Sequence, residues 1–126
     1  MLDSKKHLYD LLIGNSALTT ALGSATKIQY AYPNDFNSLP IVTYLEINNQ
    51  HRDFYDNAPF SEESVIQIDV WNSGSTTALA KLIDAALVAD FYTRDYAADV
   101  PDPSDKVFHK VLKYRRTFNS DELDSL

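Results

Sequence analysis

The residues best suited to chemistry are three histidines and a set of scattered carboxylates. His7, His51 and His109 fall in a predicted helix, a loop and a strand, so nothing in their spacing forms a shared site. Asp69 lies in a predicted strand, and one carboxylate without a titrating partner is poor equipment for acid–base catalysis. We expect Asp69 to pair with a basic residue of a neighbouring strand.

Two loop clusters of acidic residues invite a metal hypothesis. They are His51, Asp53 and Asp56 in one loop, and Asp99, Asp102 and Asp105 in another. Neither has the alternating ligands and central glycine of a calcium loop, so solvated carboxylates are the expectation. The chain has no cysteine, which excludes disulfides, thiolate catalysis and the usual structural zinc sites. Nucleophile-elbow, zinc-protease and nucleotide-binding motifs are absent too, so the sequence predicts no catalytic residue, metal or cofactor.

Length and charge narrow the class of protein. The 126 residues suit one domain, which we place at 1–118, followed by an acidic tail at 119–126 that is expected to fray unless a partner holds it. The net charge of −7 repels nucleic acid and anionic membranes at long range. No apolar run approaches the roughly 18 to 20 residues of a membrane span, and the chain starts without the apolar stretch of a secretory signal.

Hydrophobic periodicity defines the elements that must position these residues. The patterns predict helices over 4–13, 15–22 and 75–92, and strands over 27–32, 41–50, 61–72 and 106–118. Ser4, Asn15 and Ser75 are the expected N-caps, while Gly14 and Gly23 are expected to end helices in the left-handed conformation. Residues 93–105 hold two prolines and four aspartates and are predicted to be an irregular loop.

The order of elements predicts an α+β fold. We expect a four-stranded, mainly antiparallel sheet whose first three strands form a meander, because the predicted loops between them are too short for crossover helices. The long helix, whose predicted apolar stripe runs from Leu79 to Phe91, and the N-terminal helical segment would cover one face. Ile66, Ile68 and Val70 should point into that core, leaving Asp69 and Trp71 on the other face for solvent or a partner.

Two groups of residues are candidates for protein interfaces. The loop after the second strand holds more aromatic surface than a connection requires: Phe54, Tyr55 and Phe60. The last strand concentrates basic charge in Lys106, Lys110, Lys113, Arg115 and Arg116. This strand could touch nucleic acid, could pair with acidic groups of an adjacent subunit, or could be an ordinary solvated face.

The ordered set of segments resembles a known family. LYDLL is followed by NSALTTALG, KIQYAYP and SLPIVTYLEI, then by SEESVIQIDVWNSGSTTALAKLIDAAL and the closing FHKVLKYRRTF. The most specific part is the run from Val65 to Ala86, where a strand ending in IDVW passes through a polar turn into an amphipathic helix. This set resembles the tail completion, or tail terminator, proteins of long-tailed phages.

The resemblance implies a structural virion protein rather than an enzyme. Such a protein caps the tail tube as a ring, expected to be a hexamer, and joins it to the head-completion complex, with DNA passing through the lumen unbound. Its partners would be further copies of itself, the major tail tube protein and the head-completion protein; it would reside at the head–tail junction after assembly in the host cytoplasm. The basic last strand and the acidic loops could meet between subunits, and the loop aromatics could anchor an axial contact. The alternatives are another head–tail connector protein and a small ligand-binding or regulatory module.

Overall fold

The described part of the chain folds into three α-helices and a five-stranded sheet, with a separate two-stranded hairpin. The computed structural model describes residues 2–52, 54–55, 58–59, 61–101, 106–119 and 122; for residues 54, 55, 58 and 59 it describes the backbone alone. The helices are α1 (Ser4–Ile13), α2 (Ser16–Leu22) and α3 (Thr77–Ala89), and two short 3₁₀ turns span Ala25–Lys27 and Phe36–Ser38. The strands are β1 (Ile28–Tyr30), β2 (Ile41–His51), β3 (Phe54–Tyr55), β4 (Ala58–Pro59), β5 (Ser61–Asn72), β6 (Thr93–Val100) and β7 (Phe108–Asn119).

The main sheet has the order β1-β2-β5-β7-β6 and mixes parallel with antiparallel pairs. β2, β5, β7 and β6 pair antiparallel, as predicted for most of the sheet. The predicted meander is wrong at its first step, because β1 runs parallel to β2. β1 has only three residues, and the chain reverses at Ala31, whose φ is +67°, so ten residues suffice to return to the start of β2.

The predicted four strands became five because residues 93–100 form β6. This strand was missed since all eight of its residues are exposed, so neither face shows an apolar alternation. β6 is held instead by backbone pairing with β7, from Thr93 opposite Arg115 to Val100 opposite His109. Residues 102–105, the rest of the predicted loop, lie outside the described residues.

The N-terminal helices begin and end partly as predicted. Asn15 caps α2 by accepting from the backbone N–H of Leu18 at 3.0 Å, and Gly23 ends it with φ +91°. The predicted cap of α1 is wrong by one residue: Asp3 takes that role, and Ser4 lies inside the helix. Gly14 ends α1 with an ordinary φ of −76°, because α2 follows immediately and no left-handed turn is needed.

The long helix is shorter than predicted at both ends. Thr76 is the N-cap residue of α3, while Ser75 Oγ accepts a hydrogen bond from the Thr77 backbone N–H at 3.2 Å. The helix ends at Ala89, and Phe91 then adopts a left-handed φ of +69°.

The core lies between the three helices and one face of the sheet. Ile66, Ile68 and Val70 are fully buried there, as predicted. The helices add a common apolar layer: Leu8, Leu12, Leu18, Leu22, Leu79, Ile83 and Leu87. The predicted covering of one sheet face by helices is therefore confirmed. No helix within the described part of the chain is long and apolar enough to cross a membrane.

Candidate protein-interaction surfaces

The loop predicted to carry aromatic anchors contains a small hairpin. Phe54 pairs with Pro59 and Tyr55 with Ala58 across β3 and β4. Phe60 lies outside the described residues. The proposal that these aromatic residues anchor an axial contact therefore stays a prediction.

Asp69 and Trp71 lie on the sheet face opposite the helices, as predicted. Asp69 Oδ2 is 2.5 Å from His109 Nε2 on β7, which confirms its pairing with a basic residue of a neighbouring strand. Gln67 Nε2 donates to the other Asp69 oxygen at 2.8 Å. The indole of Trp71 stacks on His109 at 3.7 Å and donates to Thr43 Oγ1 at 2.9 Å. These two contacts fix the orientation of the Trp71 ring.

An aromatic groove adjoins Trp71, and two of the groove's lining residues cover the indole ring. The rings of Tyr32 and Phe36 pack edge-on against Trp71 with centroids 5.5 and 5.6 Å away, and against each other at 5.4 Å. Both outer rings remain substantially exposed. The aromatic groove has a volume of about 530 Å³, and its lining consists of Tyr32, Phe36, Asn37, Leu39, Ser73, Lys106 and Val107. Sequence reasoning missed this groove, although two aromatic residues close to Pro33 in a short connection were a visible signal.

The basic charge of β7 is largely matched by β6 of the same chain. The contacts are Lys110 Nζ to Asp99 at 3.3 Å, Arg115 Nε to Asp95 at 3.5 Å, and Lys113 Nζ over the Tyr96 ring at 5.9 Å. Every one of these groups is at least partly exposed. The strand was predicted to touch nucleic acid, to pair with acidic groups of an adjacent subunit, or to be a solvated face. The structure shows pairing with acidic groups of the same subunit, and these side chains remain candidates for an interface.

Arg116, predicted as an interface residue, lies in the interior. Its side chain is only 6% exposed, because it points to the helix side between α1 and the end of α3. The guanidinium lies 4.1 Å from the centre of the Phe118 ring, and Nη1 donates to Asp90 Oδ2 at 3.0 Å. Its Nη2 pairs with Glu122, so this residue of the predicted fraying tail has a partner in the chain. The burial of Arg116 argues against a direct contact with another subunit.

Two buried tyrosines line the same helix–sheet interface. Burial raises the pKa of Tyr114 well above its usual value, and the hydrogen bond that its hydroxyl donates to Asp84 Oδ1 at 2.7 Å raises it further. Burial likewise raises the pKa of Tyr92. The Tyr92 hydroxyl has no hydrogen-bond partner among the residues that the structure describes. Both tyrosines therefore stay neutral and structural.

Phe91 is the most exposed large apolar side chain of the described residues, at 78%. It follows α3 at the position where the helix closes in a left-handed turn. Val88, one helical turn earlier, is exposed as well. The sequence predicted Phe91 to face the core as part of the helix stripe; this was wrong, because α3 ends before it.

The described part of the chain offers open grooves and no metal-binding group of His, Asp or Glu residues. Its exposed aromatic side chains are features of surfaces that bind other proteins.

Comparison with known proteins defines the class more closely. A family model described as tail completion protein gp17 matches residues 6–118. A solved structure titled "Virion of native gene transfer agent (GTA) particle" has a similar fold, with a TM-score of 0.58 and 19% identity over 86% of this chain and 88% of that chain. No curated protein matches the chain significantly.

The chain therefore belongs to the tail completion protein gp17 family. It is a structural, virion-associated protein of the phage tail rather than an enzyme. The recognition made from the ordered sequence segments is confirmed.

Proposed function

We propose that this protein closes the end of the tail tube as a ring of identical subunits, expected to be a hexamer, and joins the tube to the head-completion complex. The family match supports a place in the tail. The observation that carries the ring is the distribution of exposed apolar side chains over unlike, separate surfaces. Closed rings need this property, because each subunit uses one surface to meet a different surface of the next.

The apolar surfaces lie at separate ends of the subunit. The aromatic groove adjoins Ser73, before α3, whereas Phe91 and Val88 lie at the end of α3. A two-fold dimer would bury one self-complementary patch, and a monomeric binding module would need only one surface. Two unlike surfaces favour a head-to-tail arrangement.

Charge supports a lumen that does not hold DNA. The chain carries a net charge of −7, and two basic side chains of β7, Lys110 and Arg115, are paired with aspartates of β6. Because DNA binding depends on basic groups that replace counterions, such a ring would let DNA pass without retaining it. Assembly would take place in the host cytoplasm, and the mature position would be the head–tail junction.

The remaining interface candidates have proposed places in this arrangement. Phe54, Tyr55 and Phe60 would form an axial contact with the tube or the head-completion protein. Lys110, Lys113 and Arg115, which remain partly exposed beside their partners on β6, would meet acidic loops of the adjacent subunit. Asp69 and Trp71, which are buried, would act indirectly: Trp71 supports the Tyr32 and Phe36 rings of the aromatic groove, and Asp69 holds the His109 ring on which Trp71 stacks.

Tube elongation tests the proposal. Tail tube protein is polymerised with increasing amounts of this chain, and tube lengths are measured by electron microscopy. A terminator stops elongation at amounts far below one copy per tube subunit, because only the growing end is occupied. A different head–tail connector would bind head-completion proteins and leave tube length unchanged. A ligand-binding module would remain a single copy by light scattering with or without tubes.

A further inference from the structure

The backbone at Phe91 is built as a helix-ending turn that normally takes glycine. The Phe91 N–H donates to Val88 O at 3.1 Å and the Tyr92 N–H to Leu87 O at 3.0 Å. This pair of bonds is the Schellman motif, in which the residue after the cap is left-handed and is usually glycine because it has no Cβ. Phe91 occupies that position with φ +69°. A bulky side chain therefore occupies a position at which the backbone conformation favours glycine.

Packing inside the subunit does not account for this phenylalanine. The side chain is 78% exposed, and its recorded ring contact is with the Arg116 guanidinium 5.7 Å from the ring centre. Arg116 already has Phe118 at 4.1 Å and carboxylate partners, so it does not need Phe91. A strained backbone with an unburied apolar side chain is a feature of binding residues, whose burial occurs in a complex.

Phe91 is also presented rigidly. Its neighbour Tyr92 is buried in the core, and Leu87, which accepts the Tyr92 N–H, is fully buried. The turn therefore fixes the direction in which the ring leaves the surface. A rigid anchor loses little conformational entropy on binding, which favours affinity.

The aromatic groove lies at the other end of the same helix. Ser73 lines it four residues before α3, whereas Phe91 follows the helix by two residues. Thirteen residues of α-helix span roughly 20 Å, so Phe91 cannot reach the groove of its own subunit. Strand pairing agrees, since Thr93 lies opposite Arg115 near the end of β7 and Trp71 lies opposite His109 near its start.

The groove has room for a phenyl ring. Its volume of about 530 Å³ is larger than the ~150 Å³ of an apolar cavity that holds a benzene ring, and it is open to solvent. A phenyl ring entering beside Tyr32 and Phe36 would meet the exposed surface of both rings, and the apolar side chains of Leu39 and Val107 line the same groove. A knob and a hole at opposite ends of one helix form a heterologous pair, as a closed ring requires.

From these observations we infer that Phe91 of each subunit inserts into the aromatic groove of the next copy of this chain. The inference rests on the proposed ring and names its contact. Repetition of the contact around an axis closes the ring without any further type of interface.

Cysteine cross-linking tests the contact directly, because the natural chain has no cysteine. Full-length Phe91→Cys protein is mixed with Asn37→Cys protein, with and without tail tubes, under mild oxidation. Asn37 is exposed at the groove, and the substitution retains the hydrogen bond that its backbone N–H donates to Asp35 Oδ1 at 2.9 Å. We expect a disulfide between two copies, and a ladder up to the full ring from the double variant. In the control, Phe91→Cys protein is mixed with Ala17→Cys protein, whose cysteine stands at an exposed position of α2, and no cross-link is expected.

A second variant separates binding from folding. Phe91→Gly places the favoured residue in the left-handed turn, so its unfolding midpoint should equal or exceed that of the natural chain. Its association with the next copy should weaken at least about 30-fold, the loss typical of an interface hot spot. A lowered midpoint would show that Phe91 serves the fold and would overturn the inference.

The outcomes distinguish the contact from the ring. If the natural chain forms rings, but the Phe91→Cys and Asn37→Cys proteins form no disulfide and the double variant gives no ladder, the contact is wrong and the ring stands. If Phe91→Cys cross-links to the tail tube protein instead, the partner is the tube. If the natural chain stays a single copy both in solution and on tubes, the proposed ring fails and the contact fails with it.

Discussion

The buried Arg116 is the group whose replacement the structure predicts most sharply. Its guanidinium bonds to Asp90 and Glu122 while its stem and plane pack on Phe118. We consider Arg116→Met, which keeps an apolar stem of similar length, beside Arg116→Ala, which does not. Comparing the two separates the contribution of the charge from that of the packing.

The magnitude follows from the partners. Two hydrogen bonds to charged groups contribute about 1.5 to 3 kcal/mol each, and the lower value applies because Asp90 and Glu122 are 28% and 35% exposed and can regain water. Arg116→Met therefore loses about 3 kcal/mol of stability with these two hydrogen bonds. It regains about 1 kcal/mol, because the buried Arg116 Nε has no hydrogen-bond partner among the described residues and its removal ends that cost. The net loss is about 2 kcal/mol, or roughly 8 °C in Tm for a domain of this size. Arg116→Ala adds the lost packing and should cost about 3 to 5 kcal/mol.

Urea unfolding of the dilute monomer measures the free energy of unfolding of both variants. The slope of this free energy with urea concentration should stay unchanged. If Arg116→Met costs less than about 0.5 kcal/mol while Arg116→Ala costs several, the ion pairs contribute nothing and only packing matters. If both variants are neutral, Arg116 is not enclosed as described, and its original assignment to an exposed interface is restored.

Further predictions concern the buried tyrosines and one turn. Tyr92→Phe should leave stability unchanged or raise it, because no described residue bonds its hydroxyl, whereas Tyr114→Phe should cost about 1 kcal/mol by removing the bond to Asp84; thermal unfolding compares the two. Above pH 10 the free energy of unfolding should fall by up to about 1.4 kcal/mol per pH unit for each of these tyrosines, since the unfolded state loses protons that the buried groups retain, and each Phe variant should flatten the profile. A profile equally steep in the variants would show that the hydroxyls are not shielded. Gly23→Ala should lower the free energy of unfolding by about 1 to 2 kcal/mol, because φ is +91°, although no atom lies within 4 Å of the added Cβ. Gly74→Ala is the control: it is equally open and has no positive φ, so it should leave stability unchanged. Equal effects of the two substitutions would contradict the role of the left-handed turn.

The elements with strong periodicity were predictable from the sequence. In β5 the apolar residues Ile66, Ile68 and Val70 alternate with other residues because their face meets the helices, and α3 shows one apolar stripe because it lies on that face. β6 could not be found in this way, because a fully exposed edge strand is specified by backbone pairing with β7 and not by its side chains. The parallel pairing of β1 was equally hidden, since it depends on the sharp reversal at Ala31.

The candidate surfaces were predictable in composition but not in placement. Arg116 has the same residue type as Arg115, and only the alternation along β7 separates the buried from the exposed one. The aromatic groove joins residues from the connection after β1, the turn after β5 and the segment before β7, which no local pattern brings together. Phe91 looked like one more core residue until the end of α3 was known.

Imaging of tail tubes mixed with this protein tests the central claim most directly. The protein is added to preformed tubes, and end-on class averages are computed from electron micrographs of the bound particles. We predict a closed ring at one end of each tube, with rotational symmetry matching a hexamer and a continuous central opening. Density along the tube walls, an open arc without symmetry, or bare tube ends would contradict the account.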